Sequence, residues 1–239
     1  MSIVICADTH TTLDIEKVQE YFRNTKQNFS KKDYLIICGD VGIGWENDTN
    51  EKEAREILRN LPVSVLFCDG NHEHIPHLNS YKAEEWNGGV VHVIEPGLIH
   101  LMRGQLYTLE GKMFFVFGGA CSIDRDYQEE GTSWFREEVP SKEEYEEGWK
   151  NLERVNYQVD YIITHTGPYE IVKDMEKTNL EWKGTPEEIL EMQEAIKEQG
   201  IEFQKMADKV TFTKWYFGHF HEDSCVGQFQ CLMEEMVCL

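Results

Sequence analysis

Five short apolar runs in this sequence each end in side chains that bind metals or carry protons, and this pattern limits the possible folds more than any other feature. The first run leads into Asp8-Thr9-His10, the second into Gly39-Asp40 and the third into Gly70-Asn71-His72-Glu73. Two later runs lead into His165 and into Gly218-His219-Phe220-His221. Short apolar runs separated by helical patterns read as β-α-β units around a sheet buried on both faces. In such sheets the carboxyl ends of parallel strands form the crevice where ligands sit. The five loops are therefore expected to converge, although they are spread over most of the sequence.

The periodicity predicts strands at Ile3–Ala7, Tyr34–Cys38, Val63–Cys68, Tyr161–Thr164 and Thr213–Phe217. Ile15, Val18 and Phe22 recur at helical spacing, as do Ala54, Ile57, Leu58 and Leu61 before Pro62. Between Val90 and Phe117 the pattern is strands alone, at Val90–Ile94, Ile99–Met102, Gln105–Leu109 and Met113–Phe117, with turns at Pro96-Gly97, Gly104 and Glu110-Gly111. A run of hairpins of this kind implies a second sheet. Ser141-Lys142-Glu143-Glu144 reads as a capping box opening a helix, and Thr185-Pro186-Glu187-Glu188 opens another that Gly200 is expected to stop. Its Glu-rich stretch to Glu202 reads as a solvated face. Residues 119–140 and 166–184 lack periodicity and read as loops overhanging a site. With no repeat or low-complexity linker, residues 1–239 are expected to form a single domain.

Composition excludes several classes. Acidic residues outnumber basic ones by 44 to 23, a net charge of −21, which argues against a long nucleic acid or an anionic membrane as partner. The opening apolar segment, Ile3 to Cys6, is too short for a signal-peptide core and lacks a basic flank, so the expected compartment is the cytoplasm. The seven cysteines fit it: their odd number and the lack of Cys-x-x-Cys argue against a disulfide framework or a zinc knuckle, and Cys6, Cys38 and Cys68 lie in apolar runs.

Spacing adds chemistry. In extended backbone, residues two apart face the same way, so Asp8 with His10, and His219 with His221, are each expected to aim at one point. Together the loops supply two carboxylates, up to four imidazoles and one amide oxygen. That is too many for one tetrahedral zinc and suits two divalent ions that share a bridging carboxylate.

In order along the chain, Asp-x-His, Gly-Asp, Gly-Asn-His-Glu, a lone His after a strand and Gly-His-x-His resemble the motif set of the calcineurin-like metallophosphoesterases. Gly118 to Arg125, Ser133-Trp134 and Lys214 to Phe217 look like those of a small bacterial and phage subgroup. The resemblance implies an α/β fold of two sheets packed as a sandwich flanked by helices, in α/β/β/α layers. It implies one metal ion on Asp8, His10 and His221, a second on Asn71, His165 and His219, and Asp40 bridging both. The ions would be divalent, manganese first, with iron, zinc or nickel as alternatives. The implied activity is that of a metal-dependent phosphoric ester hydrolase, a phosphatase in the broad sense, in which a metal-bridging hydroxide attacks phosphorus and His72 is the general acid. Its substrate is expected to be a small phosphate ester or a phosphoprotein. Two alternatives are a phosphodiesterase or nuclease acting on nucleotides, and a non-catalytic scaffold on the same fold; intact ligand positions weigh against the scaffold.

Arg125 is the candidate for gripping substrate phosphate, because a guanidinium fork matches phosphate oxygens; Arg103 is a weaker one. Asp69 or Glu73 is a candidate to orient His72, against a reading of both as solvated loop carboxylates. His92 and His100 read as surface or satisfied core residues. Trp134, Trp149 and Trp182 read as packing rather than base-stacking residues.

Overall fold

The computed structural model describes residues 2–45, 48–122, 128–175 and 185–239. Three parallel strands, β1 (Ile3–Cys6), β2 (Tyr34–Cys38) and β3 (Ser64–Cys68), run side by side, joined by α1 (Glu16–Asn24) and α2 (Thr49–Asn60). Each strand is apolar on both faces because each face meets a different core. Val4, Leu35, Ile37, Val65 and Phe67 pack with Val18, Ala54 and Leu58 of the two helices. The alternate residues Ile3, Ile5, Ile36 and Leu66 pack inward against a second sheet. This is why the runs are continuous rather than alternating.

After a short helix α3 (Ile75–Leu78), the chain adds β4 (Ala83–Trp86), β5 (Gly89–Glu95) and β6 (Leu98–Leu101) to the first sheet, with β6 parallel to β3. β7 (Gln105–Leu109) and β8 (Lys112–Phe117) then start the second sheet. The hairpin block thus spans both sheets rather than forming one of its own. Local alternation reveals a strand but not the sheet it joins, which depends on contacts distant in sequence.

The second sheet continues with β9 (Tyr161–Thr164) and β10 (Lys214–Phe217), parallel to β8, then β11 (Ser224–Val226) and β12 (Phe229–Cys231). The terminal β13 (Val237–Cys238) returns to pair antiparallel with β1. The strand orders are β13-β1-β2-β3-β6-β5-β4 and β11-β12-β10-β9-β8-β7. Phe114, Val116, Ile163 and Tyr216 face the first sheet. Phe115, Phe117, Ile162, Trp215 and Phe217 face the outer helices α4 (Lys142–Arg154) and α6 (Pro186–Lys209). Two sheets between helical layers are the α/β sandwich the resemblance implied.

Both helices open on capping boxes, Ser141 with Glu144 and Thr185 with Glu188, as the sequence predicts. Gly200 does not end α6, which continues to Lys209. A Cβ at Gly200 would lie 3.3 Å from Cα of Tyr169, so the glycine lets the short helix α5 (Tyr169–Val172) pack closely on α6. The Glu-rich face is exposed at Glu187, Glu191, Glu194 and Glu198, while Met192 and Phe203 are buried. Within residues 119–140 and 166–184, the described parts hold a 3₁₀ turn at Arg136–Glu138 and α5.

Gly104 is fixed on two counts. Its φ is +72°, and a Cβ there would approach Cα and N of Gly148 in α4 to 2.9 Å. Gly104→Ala is expected to destabilise the protein by about 2 kcal/mol or more. Thermal unfolding checks this: an unchanged midpoint would mean that the loop relaxes without cost.

Candidate metal centre

The carboxyl ends of β1, β2 and β3 in one sheet, and of β9 and β10 in the other, open toward a common point. Among the described residues, three groups there are close enough to hold a metal ion: Asp8, His10 and His221; His10, Asp40 and His72; and Asp40, His165 and His219. Within each group the candidate ligand atoms lie within 4.8 Å of one another. Oδ2 of Asp40 is 3.2 Å from Nε2 of His165, 3.4 Å from Nε2 of His10 and 3.9 Å from Nε2 of His72. Oδ1 of Asn71 is 3.1 Å from the same His165 nitrogen. Nε2 of His221 is 3.8 Å and Nε2 of His10 is 4.0 Å from Oδ1 of Asp8.

The loops reach this arrangement by a route the spacing did not suggest. Asp8, His10, Asp40, His219 and His221 all have positive φ, at 52°, 41°, 54°, 74° and 50°. Such conformations cost non-glycine residues free energy and persist only where surrounding packing enforces them. The two Asp-x-His and His-x-His pairs are therefore not extended. Asp8 and His10 still share a group, because their loop folds back, but His219 and His221 diverge into different groups.

Close approach explains the neighbouring glycines. A Cβ at Gly70 would fall 2.1 Å from Oδ1 of Asp40, and one at Gly39 2.3 Å from Nδ1 of His165. Freed of side chains there, the backbone N–H groups of Asn71 and His72 both donate to Oδ1 of Asp40 at 2.9 Å. Lys17 in α1 donates to the Asp8 carbonyl at 2.8 Å, and the His219 N–H donates to the Asp8 carboxylate.

Two imidazoles have their tautomers set by their partners. Nδ1 of His165 donates to the Cys38 carbonyl at 2.7 Å, which can only accept, and Nδ1 of His10 bonds Asp14 at 2.8 Å. In the neutral rings, both Nε2 lone pairs then face the Asp40 carboxylate, an arrangement that needs a proton or a cation between them. Burial pushes His165 and His10 down, but the Asp40 and Asp8 carboxylates outweigh it and carry them up to about 10 and about 9. Burial opposes ionisation of Asp40, yet the His165, His72 and His10 imidazoles hold its carboxyl well below the usual range. Burial pushes Asp8 up to about 6, and burial together with His165 pushes His219 down to about 3. Nε2 of His10 is buried without a hydrogen-bond partner among the described residues. An orphaned imidazole nitrogen facing buried carboxylates fits a divalent cation.

The His72 side chain is 39% exposed, more open than His10 or His165 though less than His221. It borders a cleft of about 600 Å³ lined also by His10, Leu13, Asp14, Trp45 and His221. Neither Asp69 nor Glu73 orients its ring, and neither is solvated. Glu73 is buried and accepts from the Gly42 and Gly70 N–H groups, tying two site loops together. Burial and the nearby Asp40 charge push it up to about 7.

Asp69 is the partner of Arg103, which is therefore not a phosphate grip. Nε and Nη2 of Arg103 lie 2.8 and 2.6 Å from Oδ2 of Asp69, and the same guanidinium binds the Glu137 and Glu138 carbonyls and the Glu144 carboxylate. On its other oxygen Asp69 meets Nε2 of His100, whose Nδ1 is 3.1 Å from Nδ1 of His92. Both histidines are satisfied core residues. The network fixes the end of β3 two residues before Asn71. The sequence held no periodic signal for it, since each member lies on a different element. Trp134 is buried, and Trp149 packs against Tyr157 and Lys209. Arg125 and Trp182 lie outside the described residues.

A family model for calcineurin-like phosphoesterases matches residues 1–223, and the chain belongs to that family. A crystal structure of TT1561 of Thermus thermophilus is similar, with 12% identity and a TM-score of 0.49, over 97% of this chain and 88% of that one. No curated protein matches the sequence. Family membership and the side-chain groups together point to the metal-dependent phosphoesterase class, with candidate sites for divalent ions.

Arg103→Met would leave the Asp69 carboxylate buried without its cation, and breaking such a pair costs about 3–5 kcal/mol. The expected fall in the unfolding midpoint is on the order of 10 °C, with partial recovery in Arg103→Lys. A shift under about 2 °C in calorimetry would show that the pair is dispensable.

Proposed function

We propose that this protein hydrolyses phosphate esters with two divalent ions, one held by Asp8, His10 and His221, the other by Asn71, His165 and His219, with Asp40 shared. The observation that carries this reading is the single Asp40 oxygen facing imidazoles that belong to two different side-chain groups. When bound, the ions supply positive charge to the phosphoryl oxygens and bring the pKa of an attacking water toward neutrality. Manganese is the first choice, with iron, zinc or nickel as alternatives; nitrogen and oxygen donors of this kind suit all four.

The chain's own residues do the rest. Asp14 and the Cys38 carbonyl hold the His10 and His165 rings so that their Nε2 atoms point inward. Asp40 and Glu73 fix the loops carrying Asn71 and His72. As the water oxygen bonds to phosphorus and loses its proton to solvent, the ester P–O bond breaks and its electron pair leaves on oxygen. His72, exposed at the cleft, gives that oxygen its proton. The substrate is a small phosphate ester or a phosphoprotein, and a cytoplasmic setting suits the buried free thiols of Cys6, Cys38, Cys68 and Cys231. Among the described residues no helix is long and apolar enough to cross a membrane.

Hydrolysis of 4-nitrophenyl phosphate or bis(4-nitrophenyl) phosphate is expected only with the divalent ion present. Full activity after exhaustive chelation would refute the metal requirement. His72→Ala is expected to retain both ions by elemental analysis and to lose at least about 10²-fold in kcat with an unactivated ester. Loss of an ion in that variant would instead make His72 a ligand.

A further inference from the structure

The His72 imidazole carries the proposed proton transfer, yet no described carboxylate orients it through a hydrogen bond. Its main chain is held from both sides instead. The His72 N–H donates to Oδ1 of Asp40 at 2.9 Å, and the His72 carbonyl accepts from Nε1 of Trp45 at 3.0 Å. We propose that Trp45 is a positioning residue for His72, its indole N–H fixing the backbone from which the imidazole reaches the leaving oxygen. This rests on the general-acid reading given above.

Trp45 is itself well fixed. The loop before it is anchored through the Gly42 N–H to Glu73, the Gly44 N–H to Glu51 at 3.1 Å, and the His74 N–H to the Ile43 carbonyl at 3.1 Å. The indole meets the His74 ring edge-on at 5.0 Å, and His74 in turn lies 4.2 Å from the Phe135 ring. One edge of Trp45 lines the cleft beside His72. A shift of the indole would therefore be passed to the His72 main chain through one hydrogen bond, while the carboxylate-held groups around Asp40 stay in place. Positioning of a proton donor matters most where the leaving oxygen is basic and least where it departs unaided.

Trp45→Phe removes the N–H and keeps a ring against His74; Phe135→Leu disturbs the ring packing and keeps the N–H. In the metal-free protein, deuterium uptake by a peptide covering residues 70–74 is expected to be about fivefold faster in Trp45→Phe, with manganese stoichiometry and unfolding midpoint as in the parent. In the manganese-loaded protein, kcat is expected to fall about twofold for 4-nitrophenyl phosphate and about tenfold or more for phenyl phosphate. Phe135→Leu is expected to leave the ratio of the two esters as in the parent. Unchanged uptake, equal losses on both esters, or the same ester ratio in Phe135→Leu as in Trp45→Phe would each overturn the role of Trp45. His72→Ala is the reference: its ester ratio should exceed that of Trp45→Phe. A flat ratio in His72→Ala would remove the general acid itself, and with it the catalytic half of this inference, whereas the uptake result reports on the backbone tether alone.

Discussion

One buried carboxylate oxygen facing three imidazole nitrogens is the constraint on which the rest of the site depends. Oδ2 of Asp40 lies within 4 Å of His10, His72 and His165, while Oδ1 takes the N–H groups of Asn71 and His72. A carboxylate that is 2% exposed is costly unless its charge is matched. Here the match comes from side chains on three other loops, so the charge of one residue holds together strand ends that the backbone alone does not join. Divalent cations, which the family implies, would extend the same balance, since carboxylates and neutral imidazoles gain from positive charge placed between them.

That balance demands unfavourable backbone. Five of the clustered residues sit at positive φ, a strain their loops could not sustain if they were free. They are held by the two fully buried faces of β1, β2 and β3, by the second sheet behind them, and by side chains such as Glu73 and Lys17 that bind loop main chain. The extensive apolar burial behind the site and the irregular geometry in front of it are two sides of one arrangement. The Asp69–Arg103–His100 network is the polar counterpart, fixing the last turn before Asn71 from within the core.

Much of this was legible in the sequence. The strands at Tyr34–Cys38, Gln105–Leu109 and Tyr161–Thr164 have the predicted bounds, and both capping boxes formed. Periodicity and capping depend on neighbours in the chain, which is why they read well. The division of the hairpin block between two sheets did not read, nor did the passage of α6 through Gly200, because each is decided by a partner far away: β3 for the first, Tyr169 for the second. The solvated reading of Asp69 and Glu73 failed for the same reason. A carboxylate in a loop looks exposed until its burying neighbours, Arg103 and the Gly42 and Gly70 N–H groups, are known.

By itself the sequence singled out the side chains of ligand type that the fold gathers at the strand ends, because they can be recognised by type and by their place at the end of an apolar run. It also determined that those runs would be strands buried on both faces. The spacing of these residues did not give their grouping, which is decided by the tertiary structure. His219 and His221, two residues apart, go to different groups, while Asp40 and His165, far apart in sequence, share one. Grouping is set by left-handed turns and by which strands lie adjacent, and both depend on packing energy summed over the whole core rather than on any local preference of the residues involved.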